Sequence, residues 1–349
     1  MPLPAPILDA FRIQSEACRN LGSPFNALVC DLLAGRLSPS SAFGRRIHGW
    51  PGQPVDDALA LRACGSLHAL SRSGRSPALT AAYPPAATDG DALWHAVETA
   101  IAGHDGFLAG YLDGPPQTNE VSRSASILGG CLTLAAATGL PLELYEIGSS
   151  TGLNLGFDRW HYDLGGRVWG PAGSPVHIVS RWDGEVPLDA PLSVVRREGC
   201  DRNPLDPASP ADRERLLSYI WPDQAARLAR IQAALHATAE AGWHVERADA
   251  ADWVADRFAG PGTAGRVRVL VHTIVWQYLP AATQARIDAA IRTAGAAATA
   301  DAPVAWLRVE PDGVKGSAGV RLTIWPGGEP RLLGRADYHG RWHLWRPGT

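Results

Sequence analysis

Lysine is nearly missing from this chain of 349 residues: Lys315 is the only one, so the basic side chains are almost all arginine. With the high alanine content, that reflects genomic composition bias rather than function. Excess positive charge is missing too. The formal net charge is -3, which leaves no electrostatic case for nucleic acid or an anionic membrane as a partner. Cys-x-x-Cys pairing is absent, and the five cysteines (Cys18, Cys30, Cys64, Cys131, Cys200) are odd in number and widely spaced. That pattern signals neither a zinc site nor a disulfide framework and suits reduced, buried thiols in a cytoplasmic protein. The N-terminus, MPLPAPILDAF, has no basic n-region and carries Asp9 early, so no signal peptide is expected. The longest uncharged run, Ser124 to Leu142, is diluted by Gly129, Gly130, Thr133, Thr138, Gly139 and Pro141. A buried helix ending at Gly139 is expected there, not a membrane span. No internal repeat is present.

What remains is the composition of a soluble globular protein, 46% hydrophobic and 19% charged. Residues 1–118 read as a helical region. Ser23-Pro24 supplies an N-cap and a first-turn proline, Gly35 a stop, and further helices fit Asp56–Ser71, Asp91–Ala102 and Asp105–Leu112. From Asn119 the pattern changes. Thr118 or Asn119 caps a helix to about Thr138, Leu142–Ile147 reads as a buried strand, and Leu153–His161 as a short helix. Gly165-Gly166 joins Tyr162–Leu164 to Arg167–Trp169 in a hairpin, and Val176–Trp182 alternates as the second strand of the core. Pro187–Asp212 is rich in proline and charge and is expected to be a loop. Helices fit Ala211–Trp221, Asp223–Ala241, Ala250–Phe258 and Ala281–Gly295. Strands fit His244–Arg247, Val267–Thr273, Val304–Val309, Arg321–Trp325 and Arg341–Trp345. Eleven of the thirteen tryptophans follow residue 121, which locates most large-area packing in this second part.

The stretch LYEIGSSTGLNLG, Leu144 to Gly156, supports two readings. Gly148-Ser149-Ser150-Thr151-Gly152 fits the Gly-x-Ser-x-Gly elbow of a serine hydrolase, with Asp301 or Asp312 and then His339 or His343 in the triad order. Yet the elbow follows the first strand, and nothing upstream reads as an oxyanion loop or a run of strands. The alternative is a cofactor cradle. There the loop turns sharply from strand to helix and brings its backbone close to a ligand, which Gly148 and Gly152 permit. Glu146 at the strand end repels a phosphate and suits a cationic or hydroxyl-bearing ligand, which favours S-adenosylmethionine over NAD. A tight turn without any ligand is the plainest option.

The order of elements after the loop resembles that of class I methyltransferases. By that resemblance Asp249 contacts adenine, a role compatible with capping the helix that follows it, and Asp183 or Glu185 serves the ribose hydroxyls. The strings QTNEVSRSA (Gln117–Ala125), EIGSSTGLNL, GRVWGPAGSPV, NPLDP, WPDQAARLARIQAAL, VWQYLP and WPGG resemble a more specific group, an uncharacterised bacterial family catalogued as domain of unknown function 2332. The resemblance runs nearly end to end and implies a Rossmann-like core but no particular reaction.

Further residues qualify by position. Asn119, Glu120 and Arg123 start the helix leading into the first strand, although Glu120 and Arg123 also suit a surface ion pair. His272 and Glu310 end strands, the carboxyl ends where ligands bind in open α/β sheets. His272 can act as general base, and buried histidines and ion-paired glutamates are the ordinary outcomes. Trp276, Gln277 and Tyr278 line the pocket, with Arg202 and Asp206 on a loop that covers it. His339 and His343 have no third ligand, so no metal site is expected.

The resulting expectation is an α/β protein: a helical region over 1–118, then a Rossmann-like, class I methyltransferase-type sheet flanked by helices over 119–349, with a hairpin and helical segment inserted at about 160–240. Its activity is methyl transfer from S-adenosylmethionine to a small-molecule substrate. Glu146, Gly148, Ser150, Gly152, Asn154, Asp183 and Asp249 hold the cofactor; His272 and Glu310 are the catalytic candidates. A serine hydrolase using Ser150 and a non-catalytic ligand-binding protein are the alternatives.

Overall fold

The computed structural model describes residues 2–87 and 89–346. Proline and aspartate set the helix starts in the first part. α1 (Ala5–Asn20) and α2 (Pro24–Arg36) each begin at a proline or directly after one, where the missing N–H costs nothing. Ser23 stands at the N-cap of α2, but its hydroxyl is turned to Asp223, whose other oxygen accepts the Phe25 N–H at 2.9 Å. Asp223 therefore caps the helix that Ser23 was expected to cap alone. Gly35 lies inside α2 rather than ending it. α3 (Ala42–His48), α4 (Leu59–Arg72) and α5 (Pro77–Ala82) follow. The two helices expected over residues 91–112 run end to end in α6 (Gly90–Tyr111), separated by a kink where His104 leaves helical geometry. Phe11, Leu33, Phe43, Ile47, Leu67 and Leu93 form the buried centre of this unit.

The chain forms two units: Met1–Thr118 with Ser209–Gln232, and Asn119–Ala208 with Ala233–Thr349. The second unit starts with a 3-10 turn (Val121–Arg123) that runs into α7 (Ser124–Thr138), ended by Gly139 in the left-handed region. β1 (Leu142–Ile147) is buried at all six positions, as a strand covered on both faces requires. A 3-10 helix (Leu153–Arg159) and β2 (His161–Leu164), β3 (Arg167–Trp169) and β4 (His177–Asp183) come next.

The strand beside β1 is not Val176–Trp182. It is β5 (Val194–Asp201), which runs parallel to β1 through a stretch expected to be loop. Its charges disguised it. Arg197 is satisfied by a two-pronged pair with Asp158 (2.5 and 3.0 Å), and Glu198 by Arg257 at 2.7 Å, so the strand holds polar side chains without leaving them unpaired. β4 instead pairs with β2 and β11, away from β1.

α8 (Pro210–Leu217), α9 (Ala225–Ala241), β6 (Val245–Arg247), α10 (Ala250–Arg257), β7 (Val267–Thr273), α11 (Ala281–Ala296), β8 (Val304–Pro311), β9 (Ala318–Trp325), β10 (Arg331–Ala336) and β11 (Trp342–Trp345) complete the chain. β10 was not foreseen, because Gly334 interrupts its apolar pattern. The described strands form one large mixed sheet, ordered β3-β2-β4-β11-β10-β9-β8-β7-β1-β5-β6. From β6 to β8 all neighbours are parallel; β8 to β11 is an antiparallel meander.

Helices cover both faces. On one, the glycines of α7 permit close approach: a Cβ at Gly130 would stand 2.4 Å from Leu307, and one at Gly129 2.7 Å from Trp345. The uncharged run is thus a buried helix, pressed against the sheet. On the other face α10 and α11 pack Trp253, Val254, Ile287 and Ile291 onto Tyr145, Ile147, Leu270 and Trp306. No helix among the described residues is long and apolar enough to cross a membrane.

Candidate functional site at the ends of the parallel strands

The chain winds from β1 outward to β5 and β6, then returns past β1 to β7 and β8, so the winding direction reverses between β1 and β7. Strand-end loops diverge at such a point and leave a crevice. The loop after β1 occupies it. Gly148 (φ 69°), Ser150 (φ 54°) and Gly152 (φ 77°) are all left-handed, an alternation that folds five residues into a tight curl. At Gly148 a Cβ would stand 2.5 Å from Val275, so space as well as backbone geometry demands glycine.

Two side chains hold the curl. Asn119 donates from Nδ2 to the Ser149 carbonyl at 2.9 Å and accepts the Leu153 N–H on Oδ1 at 3.0 Å. Asp201, the last residue of β5, accepts the Ser150 N–H on Oδ2 at 3.0 Å and the Asn203 N–H on Oδ1 at 2.8 Å. The short helix expected after the loop is a 3-10 helix with no side-chain cap. A helix dipole aimed at a phosphate is therefore not part of this design.

Under the loop lies a buried polar group. Glu146 has its carboxyl pushed up to about 7, mainly by burial; donors on Ser149 and Asn154 and the Arg123 guanidinium pull the other way, and Asp201 adds to the rise. Its Oε2 has no hydrogen-bond partner, nor do the hydroxyls of Ser150 and Thr151. Asn154 is itself buried and accepts the Ser124 hydroxyl at 2.8 Å. Arg123 donates to the Thr273 carbonyl at 3.1 Å and to Tyr338, while fully buried Glu120 accepts the Ser122 N–H. Glu120 is thus an interior residue and Arg123 is half-buried.

A narrow cleft of about 140 Å³ opens beside the loop, lined by Gly148, Asp201, Arg202, Ala248, Val275 and Tyr278 among others. Asp201 is the acid at the end of the second parallel strand, a position sequence reasoning assigned to Asp183 or Glu185. Asp183 stands on β4, where it pairs with Arg346 at 2.9 Å. The signal for Asp201 was Val194-Val195 followed by an acid seven and six residues on, hidden by the intervening charges. Asp249 caps α10 through the Ala251 and Asp252 N–H groups. Arg202 and Tyr278 are exposed at the cleft rim, Gln277 is exposed outside it, and Asp206 caps a turn at Ala208.

His272 and Glu310, on adjacent strands, do meet. His272 is fully buried, and its Nδ1 lies 2.7 Å from Glu310 Oε1, which also accepts the Val275 N–H at 3.1 Å. With Nδ1–H donated to the carboxylate, Nε2 keeps a lone pair; it has no partner, and neither does Glu310 Oε2. Trp276 stacks on the imidazole at 5.0 Å and 16°. These side chains line a cavity of about 540 Å³ on the α11 face of the sheet. Ser150 Oγ, by contrast, makes no hydrogen bond to a base. His343 is held between Ser126 (2.7 Å) and Ser180 (2.8 Å), and burial presses it down to about 3. Among the described residues no cluster of three or more His, Cys, Asp or Glu could hold a metal ion.

The model of a family described as "Uncharacterized protein conserved in bacteria (DUF2332)" matches residues 8–345. No curated protein and no solved structure matches the chain.

Proposed function

The chain belongs to the DUF2332 family, and within it we propose an S-adenosylmethionine-dependent methyltransferase acting on a small-molecule acceptor. The observation that carries this reading is the acid–loop pair at the winding reversal: Asp201 at the end of β5, bonded to the left-handed loop that follows β1. The parallel order β6-β5-β1-β7-β8 is that of a Rossmann-like sheet, in which ligands sit outside the strand carboxyl ends at this point.

The residues present fit such a cofactor. Each Asp201 oxygen spends one lone pair on a backbone N–H and retains another for a ribose hydroxyl. Gly148 keeps the loop backbone bare, and Ala248, Ala250 and Tyr278 line the cleft beside it. Buried Glu146, with Oε2 unpartnered, offers a negative charge where a cation is to be stabilised. S-adenosylmethionine, when bound, supplies an electrophilic methyl group on a sulfonium.

The chain's own contribution is orientation and exclusion of water, with one proton to remove. His272 accepts that proton on Nε2, and Glu310 holds Nδ1–H and stabilises the resulting imidazolium. A thermal-shift panel of S-adenosylmethionine, S-adenosylhomocysteine, NAD and FAD tests the reading. Stabilisation by the first two, lost in Asp201→Ala, is expected; stabilisation by none of the four overturns it.

A further inference from the structure

His272, Arg308 and Arg321 stand in one row across three strands: His272 is in register with Arg308 on β8, and Arg308 with Arg321 on β9. In-register neighbours project to the same face, so all three line the 540 Å³ cavity, a row roughly 10 Å long at ~4.8 Å per strand. Two arginines directly opposite repel. Arg321 is compensated by Asp312 at 2.9 Å, a carboxylate that also holds Arg335. Arg308 has only the more distant Asp288 for relief. Among the described residues no carboxylate pairs with it; its guanidinium lies 4.3 Å from the Trp306 ring centre, and its Nε is buried without a partner, as is Arg321 Nη1. Of the other acids on the wall, Asp288 is taken by Arg292 at 2.7 Å and Glu310 by His272 at 2.7 Å. Burial and the neighbouring Arg321 press Arg308 below the usual arginine value. A half-buried cation without a paired carboxylate is costly, and an incoming anion lowers that cost.

We propose that this cavity is a binding site for a flat small molecule bearing an oxyanion at one end and a hydroxyl or amino group at the other. Arg308 and Arg321 line the cavity and take the anion through their guanidinium groups, the geometry that guanidinium forks offer to carboxylate and phosphate. Trp276 on the cavity wall takes the flat body, braced edge-to-face by buried Trp306 with the rings 5.7 Å apart at 61°. His272 Nε2, fully buried and unpartnered, accepts the proton of the hydroxyl or amine. The site stands without the methyl-transfer reading; joined to it, the ligand is the acceptor, and the group facing His272 is the one methylated.

Calorimetric titration of the full chain with 4-hydroxybenzoate, its neutral analogue 4-hydroxybenzamide, and phenyl phosphate tests this. No S-adenosylmethionine is present, so failure of the methyltransferase reading leaves the outcome untouched. Saturable binding of the benzoate or the phosphate is expected, about tenfold or more weaker for the amide and for Arg308→Gln, the loss of one charge-assisted contact. Equal binding of acid and amide, unchanged binding in folded Arg308→Gln, or no saturable binding of either anion overturns the proposal. Should Arg308→Gln fail to fold, the acid-against-amide comparison on the unmodified protein decides alone.

Discussion

Asp201 Oδ2 accepts the Ser150 N–H at 3.0 Å and so ties the end of β5 to the loop that follows β1. The bond fixes a non-glycine residue in the left-handed region, a conformation costing on the order of 1 kcal/mol that survives only where its surroundings enforce it. Asp201→Ala should destabilise the protein by about 1–3 kcal/mol, since it strands a backbone donor and frees the strained residue. Urea denaturation measures it. Asp201→Asn, which keeps an acceptor, should cost less than half as much; equal losses would mean that the bond is not what holds the loop.

Ser150→Gly relieves the same strain from the other side. It should be neutral or stabilising by up to ~1 kcal/mol, because the native φ suits glycine and offsets its larger unfolded-state entropy. Gly148→Ala should do the reverse, losing about 2 kcal/mol or more, as its Cβ meets Val275 at 2.5 Å in a left-handed residue. Melting temperatures of the two variants must move apart. A fluorophosphonate probe should leave Ser150 unlabelled; labelling abolished by Ser150→Ala would restore the hydrolase reading.

Glu146 makes stability depend on pH with a definite sign. Its carboxyl is held at about 7 against a usual 4.5, so the folded state binds the proton more tightly than the unfolded one. The contribution is fully present below pH ~4.5 and is lost as pH rises toward 7, a change of roughly 3 kcal/mol at most. Glu146→Gln should flatten this part of the curve and stabilise the protein above pH 7. A cation bound beside the carboxylate favours its ionised form, so affinity for S-adenosylmethionine should increase from pH 6 to 8, and less so in Glu146→Gln. A pH-independent affinity would detach Glu146 from the cofactor.

The His272–Glu310 pair is testable without a known substrate. Either alanine variant alone leaves a buried polar partner unsatisfied and should cost about 1–3 kcal/mol. The double variant should cost less than the sum, with a coupling near 1 kcal/mol in a double-mutant cycle. Additive losses would show that the two side chains do not act as a unit.

The most legible elements were those whose burial is uniform. β1 and β7 are buried at every position, and their apolar and β-branched residues marked them to the residue despite Glu143, Glu146, Arg268 and His272. The charged strand β5 and the glycine-broken β10 stayed hidden, because their polar side chains find partners only across the sheet. Asp201 was lost with β5. Arg308 and Arg321 carried no signal at all, since they lie thirteen positions apart in the chain and only the β8–β9 register sets them side by side.

By itself, then, the sequence determined the local conformations: the left-handed curl that Gly148 and Gly152 allow, the helix stop at Gly139, and the two parts of the chain with their different periodicities. Those depend on backbone sterics and on neighbours within a few positions. Which acid meets the loop, which histidine finds a carboxylate, and which arginine is left without one were decided only by tertiary structure. Strand order and register bring together residues tens of positions apart, and charge pairing is settled by distance in space rather than along the chain.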